Sequence, residues 1–320
     1  MNLDVLAKVA DFRAKLAELV NGDDYVFFDR PDYANTGDHL IWLGALAGLN
    51  SLGKRCIATY TAWQARTQPL PDFDVATTII CSGGGNFGDI YPNFQVAREI
   101  LVRRYPNNRI IILPQTIYFK DGDIRSASEN VMRQHQDLWI FGRDSGSRDL
   151  AKRFVSDGRA LLAPDCAFFL YPFIQRTLYR MPLRQAKFEE VLLARTDGEK
   201  RLFPNRRNSS IVRFDWVGNI EWAASILGEA PKERLSAIEL EIAPYFGEID
   251  ASSRLSLDYL CLGIEALSVG RNLVTDRLHG HILAAMMMKD HVFYDNSYGK
   301  NRGFFDTWTR SISFVEFSSD

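Results

Sequence analysis

The sequence predicts an α/β protein of two tandem domains, each a mostly parallel sheet with helices on both sides, together enclosing a cleft. Three observations predict it: short apolar runs recur without polar alternation, helical patterns separate them, and the series breaks once and then restarts. Strands without alternation are buried on both faces, as in a parallel sheet covered by crossover helices. The length of 320 residues suits about two domains.

The first segment, MNLDVLAKVADFRAKLAELV, has apolar residues at helical spacing with charges between them. It reads as a docked helix, with a membrane-surface helix as the alternative. Strands are expected at Tyr25–Asp29, Cys56–Tyr60, Thr77–Cys81, Arg109–Leu113, Leu138–Phe141 and Leu161–Ala163, with helices between them such as Tyr91–Arg104. The pattern breaks at Tyr171–Gln185, where three arginines and two prolines suggest a linker, so the expected domains are 1–182 and 183–320. A strand at Glu190–Ala194 and a helix near Ile220–Leu227 follow. In a second helix, Leu255–Ser268, Leu257, Leu260, Ile264 and Leu267 form one apolar stripe. Then come a strand (Asn272–Thr275), a helix (Leu278–Met287) and a strand (His291–Tyr294).

Composition excludes several classes. A formal charge of −2 lacks the basic footprint of a nucleic-acid binder, so no nucleic acid is expected as a partner. No apolar run reaches the roughly 18 residues of a membrane span, and no signal-peptide centre is present, so a cytoplasmic protein is expected. Cys56, Cys81, Cys166 and Cys261 are far apart and read as reduced, mostly buried thiols.

Ligands in such sheets sit beyond the C-terminal ends of strands, and the candidate motifs fall there. Asn35-Thr36-Gly37-Asp38-His39 precedes a helix. It is either a ligand-facing helix N-terminus or a plain turn with Asp38 as N-cap. Ser82–Asp89 (SGGGNFGD) places Gly84, Gly85, Asn86 and Asp89 after a strand. Gly83, Gly85 and Gly88 match G-x-G-x-x-G, but the next strand ends Leu113-Pro114-Gln115 without the acid of a dinucleotide site, and no Lys-Ser/Thr pair makes a nucleotide P-loop.

Thr275-Asp276-Arg277-Leu278-His279-Gly280-His281 joins a strand to a helix. A helix N-terminus with a guanidinium suits an anion, and histidine suits proton transfer near neutrality. The alternative is that Arg277 pairs with a neighbouring acid and His279 is a core residue. His279 and His281 point about 200° apart on a helix and cannot share a metal; no metal is expected, and His291 and His135 read as structural. Arg195 and Asp197, after the first strand of the second domain, face the expected cleft or form a surface ion pair. Arg143, Asp165 and Lys300, within the closing Asp295–Lys300, are similar charges near strand ends.

With these pieces in order (NTGDHL, SGGGNFGD, ILPQTIYF, FGRDSGS, LAPDCAFFL, LLARTD, TDRLHGHILAA and YDNSYGK) the chain resembles the polysaccharide pyruvyltransferase family from about Asn35 to Lys300. The resemblance implies two Rossmann-like domains arranged as in GT-B glycosyltransferases. It implies phosphoenolpyruvate as donor, with no further cofactor. The implied acceptor is a sugar hydroxyl pair, on a lipid-linked oligosaccharide, at the inner face of the plasma membrane. Arg277, Leu278 and His279 match the donor-binding and catalytic motif, and Arg195 matches the arginine that opens the second domain. His279 is then the expected general acid–base, and Asp38, His39 and Asp89 are candidates for activating or orienting the sugar hydroxyl. Two alternatives stay open: a GT-B glycosyltransferase using a nucleotide-sugar, and a non-catalytic glycan-binding relative.

Overall fold

The computed structural model describes residues 3–20, 22–180, 185–200, 203, 209–218, 223, 226–227 and 251–318. The chain divides into two compact units. One comprises Leu6–Asp32 and Gly48–Cys166; the other comprises Met1–Val5, Tyr33–Ala47 and Ala167–Asp320. The expected boundary at 182/183 thus has a counterpart near 166/167, and the segment carrying Asn35–His39 belongs with the C-terminal residues.

The first unit holds a seven-stranded sheet of β1 (Asp24–Phe28), β2 (Arg55–Tyr60), β3 (Thr78–Cys81), β4 (Gly84–Gly88), β5 (Ile110–Tyr118), β6 (Leu138–Gly142) and β7 (Ala160–Leu162). Its order is β2-β1-β3-β5-β6-β7, with β4 also pairing β5, and every pairing is parallel. The apolar runs are buried as their lack of alternation requires; all four residues of β3 are covered. Strand β5 continues four residues beyond the proline at which the sequence suggested an end. Pro114 has no N–H to give, and the register with β6 slips between Ile112 and Gln115. β3 pairs the half before the proline and β4 the half after it. A proline is tolerated in a strand at such an irregularity.

The first helix (Leu3–Leu19) is docked: Phe12, Leu16 and Leu19 are buried, and Phe12 meets Phe141 edge-on at 5.1 Å between centroids. That apolar face is therefore not available to a bilayer. Among the described residues, no helix is long and apolar enough to cross a membrane, and all four cysteines are free.

The second unit holds β8 (Phe188–Leu193), β9 (Ile211–Phe214), β10 (Gly270–Thr275), β11 (His291–Tyr294) and β12 (Val315–Ser318) in the order β12-β11-β10-β8-β9, all parallel. In the helix Ala251–Ser268 the predicted stripe Leu257, Leu260, Ile264 and Leu267 is wholly buried. Tyr171–Gln185 is not simply a linker, because Tyr171–Arg180 is helical. Pro172 stands in its first turn, where the missing N–H costs nothing, and Ile174 and Thr177 form its buried side. The helix expected at Ile220–Leu227 falls mostly outside the described residues.

In both sheets the strand order reverses beside the first strand of the unit, between β1 and β3 and between β8 and β10. Such switch points open a crevice at the carboxyl ends of the strands, where α/β sheets bind ligands.

A buried histidine pair braces the second sheet. His291 Nδ1–H donates to the Lys289 carbonyl at 2.7 Å, His281 Nδ1–H donates to His291 Nε2 at 2.7 Å, and the Thr309 hydroxyl donates to His281 Nε2 at 2.9 Å. A chain of that sense needs both rings neutral. Burial and the neighbouring His291 push His281 well below the usual histidine value. Burial also pushes His291 down to about 4, although its bond to the Lys289 carbonyl opposes this. The folded state therefore binds fewer protons than the unfolded chain between about pH 4 and the ordinary histidine value near 6.5. The stability that the neutral pair supplies is intact above about pH 6.5 and falls as pH drops, by up to about 1.4 kcal/mol per pH unit for each histidine. Urea titrations from pH 7.5 to 5 are expected to show this slope, flattened by about one proton in His291→Gln. An unchanged slope in that variant would contradict the assignment.

Candidate active site

The second unit's switch point is built by two loops. Ala194–Asp197 follows β8, and Asp276-Arg277 follows β10 and leads into the helix Leu278–Met286. The Thr275 hydroxyl donates to the Leu193 carbonyl at 2.8 Å and accepts from Arg277 N–H at 3.0 Å. Buried Asp276 accepts from Arg195 N–H at 2.8 Å, and its carbonyl accepts from Asn301 at 2.8 Å. The two loops are thereby tied together by the side chains of Thr275 and Asp276, which bond the backbone of the facing loop.

Their charged side chains form one alternating series. Lys300 Nζ donates to Glu199 at 2.7 Å. Arg195 reaches Glu199 at 2.9 Å and grips Asp197 with both fork positions at 2.9 and 3.0 Å. Arg277 touches Asp197 at 3.1 Å and grips Asp215 at 2.8 and 2.5 Å. Both guanidiniums therefore hold carboxylates of their own chain, which is the ion-pair alternative left open for Arg277 and Arg195. Asp215 was not anticipated. It directly follows β9, just as Arg195 lies beyond the end of β8, so recognising IVRF as a strand would have marked it. Glu199, four residues beyond Arg195, gave no signal on its own.

The Asn35–His39 motif lies in this same unit. Asn35, not Asp38, caps the helix Thr36–Asn50: its Oδ1 accepts from Gly37 N–H at 3.1 Å, while its Nδ2 donates to Asp38 at 2.7 Å. An N-cap side chain satisfies the second or third helical N–H in this way, which leaves Asp38 in the first turn. The segment is held by the residues after Asp215: Gly218 N–H donates to the Ala34 carbonyl at 3.0 Å, and Asn35 bridges Val217.

Gly37 lies against His279. A Cβ at Gly37 would stand 2.5 Å from His279 Nδ1, a distance no side chain tolerates. His279 is the second residue of its helix and half-buried, whereas Leu278 beside it is buried. The first turns of two helices thus meet at Gly37 and His279, and helix N-termini favour negative charge.

One expected site residue, His39, takes another role. His39 is fully buried; its Nε2–H donates to the Tyr33 carbonyl at 3.0 Å, its Nδ1 accepts from Ser256 at 2.8 Å, and its ring stacks on Tyr259. With both nitrogens engaged it is a packing residue. His281, on the far side of its helix from His279, belongs to the histidine pair described above.

In the first unit, the glycine-rich segment is not a loop. Gly84–Gly88 is strand β4, and a Cβ at Gly88 (φ 135°) would lie 1.7 Å from the Tyr118 carbonyl oxygen. Gly85 and Asn86 remain partly exposed along it. Asn86 joins a covered polar cluster: it donates to Asp29 at 3.2 Å, Arg98 donates to its carbonyl at 3.0 Å, and Gln115 Nε2 donates to its side chain at 3.2 Å. Asp29 there takes a left-handed backbone (φ 67°), which costs a non-glycine residue free energy and tends to occur where structure over-determines it. Asp89 accepts from the N–H groups of Lys120 and Asp121 at 2.9 and 2.7 Å and so ties the end of β5. Arg143, expected to meet substrate, is instead about 1% exposed, as is Asp165, with which it pairs at 2.8 Å. Among the described residues, no three His, Cys, Asp or Glu side chains are grouped to hold a metal ion.

Comparison with known proteins finds relatives over most of the chain. The profile of a family described as polysaccharide pyruvyl transferase matches residues 35–251. A Bacillus subtilis (strain 168) protein named "Putative pyruvyl transferase EpsO" is 29% identical over 299 residues, covering 90% of this chain and 86% of that protein. Pyruvyl transferase 1 of Schizosaccharomyces pombe (strain 972 / ATCC 24843) is 26% identical over 295 residues, covering 87% of this chain and 68% of that protein. The crystal structure of KP1_0663 from Klebsiella pneumoniae subsp. pneumoniae NTUH-K2044, described as functionally uncharacterized, has a TM-score of 0.60 at 18% identity and covers 97% of this chain and 98% of that one, a likeness of fold. The chain belongs to the polysaccharide pyruvyl transferase family and is a transferase enzyme that moves pyruvate onto polysaccharide.

Proposed function

We propose that the enzyme takes pyruvate from phosphoenolpyruvate and closes it as a ketal on two hydroxyls of a sugar in a surface-polysaccharide precursor, releasing phosphate. The observation that carries this reading is the meeting of His279 with Gly37 at two helix N-termini, in the same unit as the Arg195–Arg277 switch point. A compact anion bearing both carboxylate and phosphate needs several convergent donors, and guanidinium forks beside helix N-termini are that set.

In the proposed reaction His279 gives a proton to the methylene carbon of the donor, making the adjacent carbon electrophilic. One sugar hydroxyl attacks that carbon and loses its proton. The bond to phosphate breaks, and the second hydroxyl closes the ketal as it too is deprotonated. Of the two protons released, one replaces that spent on the methylene carbon and the other leaves on phosphate. Arg277, Arg195 and Lys300 hold the donor, and Leu278 anchors the turn that presents them. Asp38, in the first turn of the helix that touches His279, is the proposed base for the sugar. The acceptor is a lipid-linked oligosaccharide, which would bring the enzyme to the inner face of the membrane.

The experiment is phosphate release from phosphoenolpyruvate in the presence of lipid-linked oligosaccharide, with thermal melts alongside. At about 100 times its dissociation constant the donor is expected to add roughly 2.7 kcal/mol of stability. Stabilisation by a nucleotide-sugar alone, without phosphate release, would instead select a glycosyltransferase.

A further inference from the structure

We infer that Asp197 is a built-in competitor of the donor: its carboxylate occupies, between Arg195 and Arg277, the place of the donor's anionic end, and it swings out when the donor enters. This rests on the reading of the donor as phosphoenolpyruvate. The series Lys300, Glu199, Arg195, Asp197, Arg277, Asp215 contains three cations and three carboxylates in alternation. Its formal charge is zero. A donor carrying both carboxylate and phosphate cannot join a neutral, fully paired series of this kind without displacing one of the three acids.

The three differ in how firmly they are held. Asp215 is about 5% exposed, is gripped by both fork positions of Arg277, and accepts two further hydrogen bonds from Thr196, at 2.9 Å from its N–H and 2.8 Å from its hydroxyl. Glu199 is about 7% exposed and bonds Arg195, Lys300 and Asn296. Asp197 is 32% exposed, the only member of the series with a solvent-facing edge. Besides the two arginines, among the described residues it accepts only the Glu199 N–H, at 3.1 Å. The neighbouring Gly198 has open space where a side chain would project, so the loop has room to turn.

Asp197 also has the right shape. A carboxylate that takes both fork positions of one arginine and touches a second presents the same planar pair of oxygens as the carboxylate of the donor. Partial burial works to raise its pKa, but hydrogen bonding and charge from Arg195, and charge from Arg277, hold it below the usual aspartate value. It therefore remains charged at neutral pH and competes throughout the working range.

The consequence has a sign. When the closed form outweighs the open one by about ten to one, the apparent affinity for donor is reduced about tenfold. Removing the competitor should restore it, whereas removing an acid that only positions an arginine should do the opposite. Titration calorimetry with phosphoenolpyruvate is the test, on the full chain and on Asp197→Ala, Asp197→Asn and Asp215→Asn. Asp197→Ala is expected to bind the donor about tenfold more tightly, and Asp215→Asn more weakly, because Arg277 loses its bidentate hold. Asp197→Asn, which keeps the size, serves if the alanine variant folds poorly, and is expected to shift affinity in the same direction. Unchanged or weaker binding in both Asp197 variants, with binding intact in the full chain, would overturn the inference and leave the donor assignment standing. Absence of phosphoenolpyruvate binding in every protein would overturn the donor assignment and the inference with it.

Discussion

Replacement of His279 by glutamine is expected to lower turnover by about 10²-fold or more while donor affinity changes only a few-fold, because a positioned acid–base group contributes about 10²–10⁴ in rate and the arginines remain. Glutamine keeps a hydrogen-bonding side chain of similar reach but cannot pass a proton. Gly37→Ala is the companion variant. Its methyl group would fall 2.5 Å from His279 Nδ1, so the ring must move, and turnover should fall without loss of any chemical group. Steady-state kinetics on both, with donor binding measured separately, check the expectation. A normal rate for His279→Gln would remove it from the reaction. His281→Gln does not serve as a neutral control, since His281 is fully buried between His291 and Thr309 and its loss should appear first as instability.

The largest stability effect is expected at Asp165. Both members of the Arg143–Asp165 pair are about 1% exposed, and Arg143 also donates to the Thr116 hydroxyl at 2.8 Å. Removing one partner of a buried pair leaves an uncompensated charge and costs about 3–5 kcal/mol. Asp165→Ala should therefore lower the urea midpoint sharply. The double variant Arg143→Met, Asp165→Leu should recover most of the loss, because apolar replacement of both partners removes the desolvation cost along with the attraction. A small loss in Asp165→Ala would mean that Arg143 finds other acceptors, and would return it to the set of residues available for substrate.

Several features of the enzyme are determined by sequence alone. The apolar runs without alternation specify parallel strands, and the stripe through Leu257, Leu260, Ile264 and Leu267 specifies a core-facing helix. Helical geometry separates His279 from His281, and the structure places them on opposite sides. These are local properties: they follow from unbroken apolar runs, from the 3.6-residue period of helices and from the chemistry of turns. Tertiary structure decides the rest. Arg277 meets Asp215 across 62 residues, and Gly37 meets His279 across 242. His39 disappears into the core against Ser256 and Tyr259, and Arg143 closes on Asp165. The glycine-rich segment becomes a strand because the far half of β5, beyond Pro114, offers it an unpaired edge. A strand-end charge looks the same in sequence whether it faces substrate or a partner acid. Which one it meets depends on strand order, and strand order is set by packing among distant segments rather than by any local pattern.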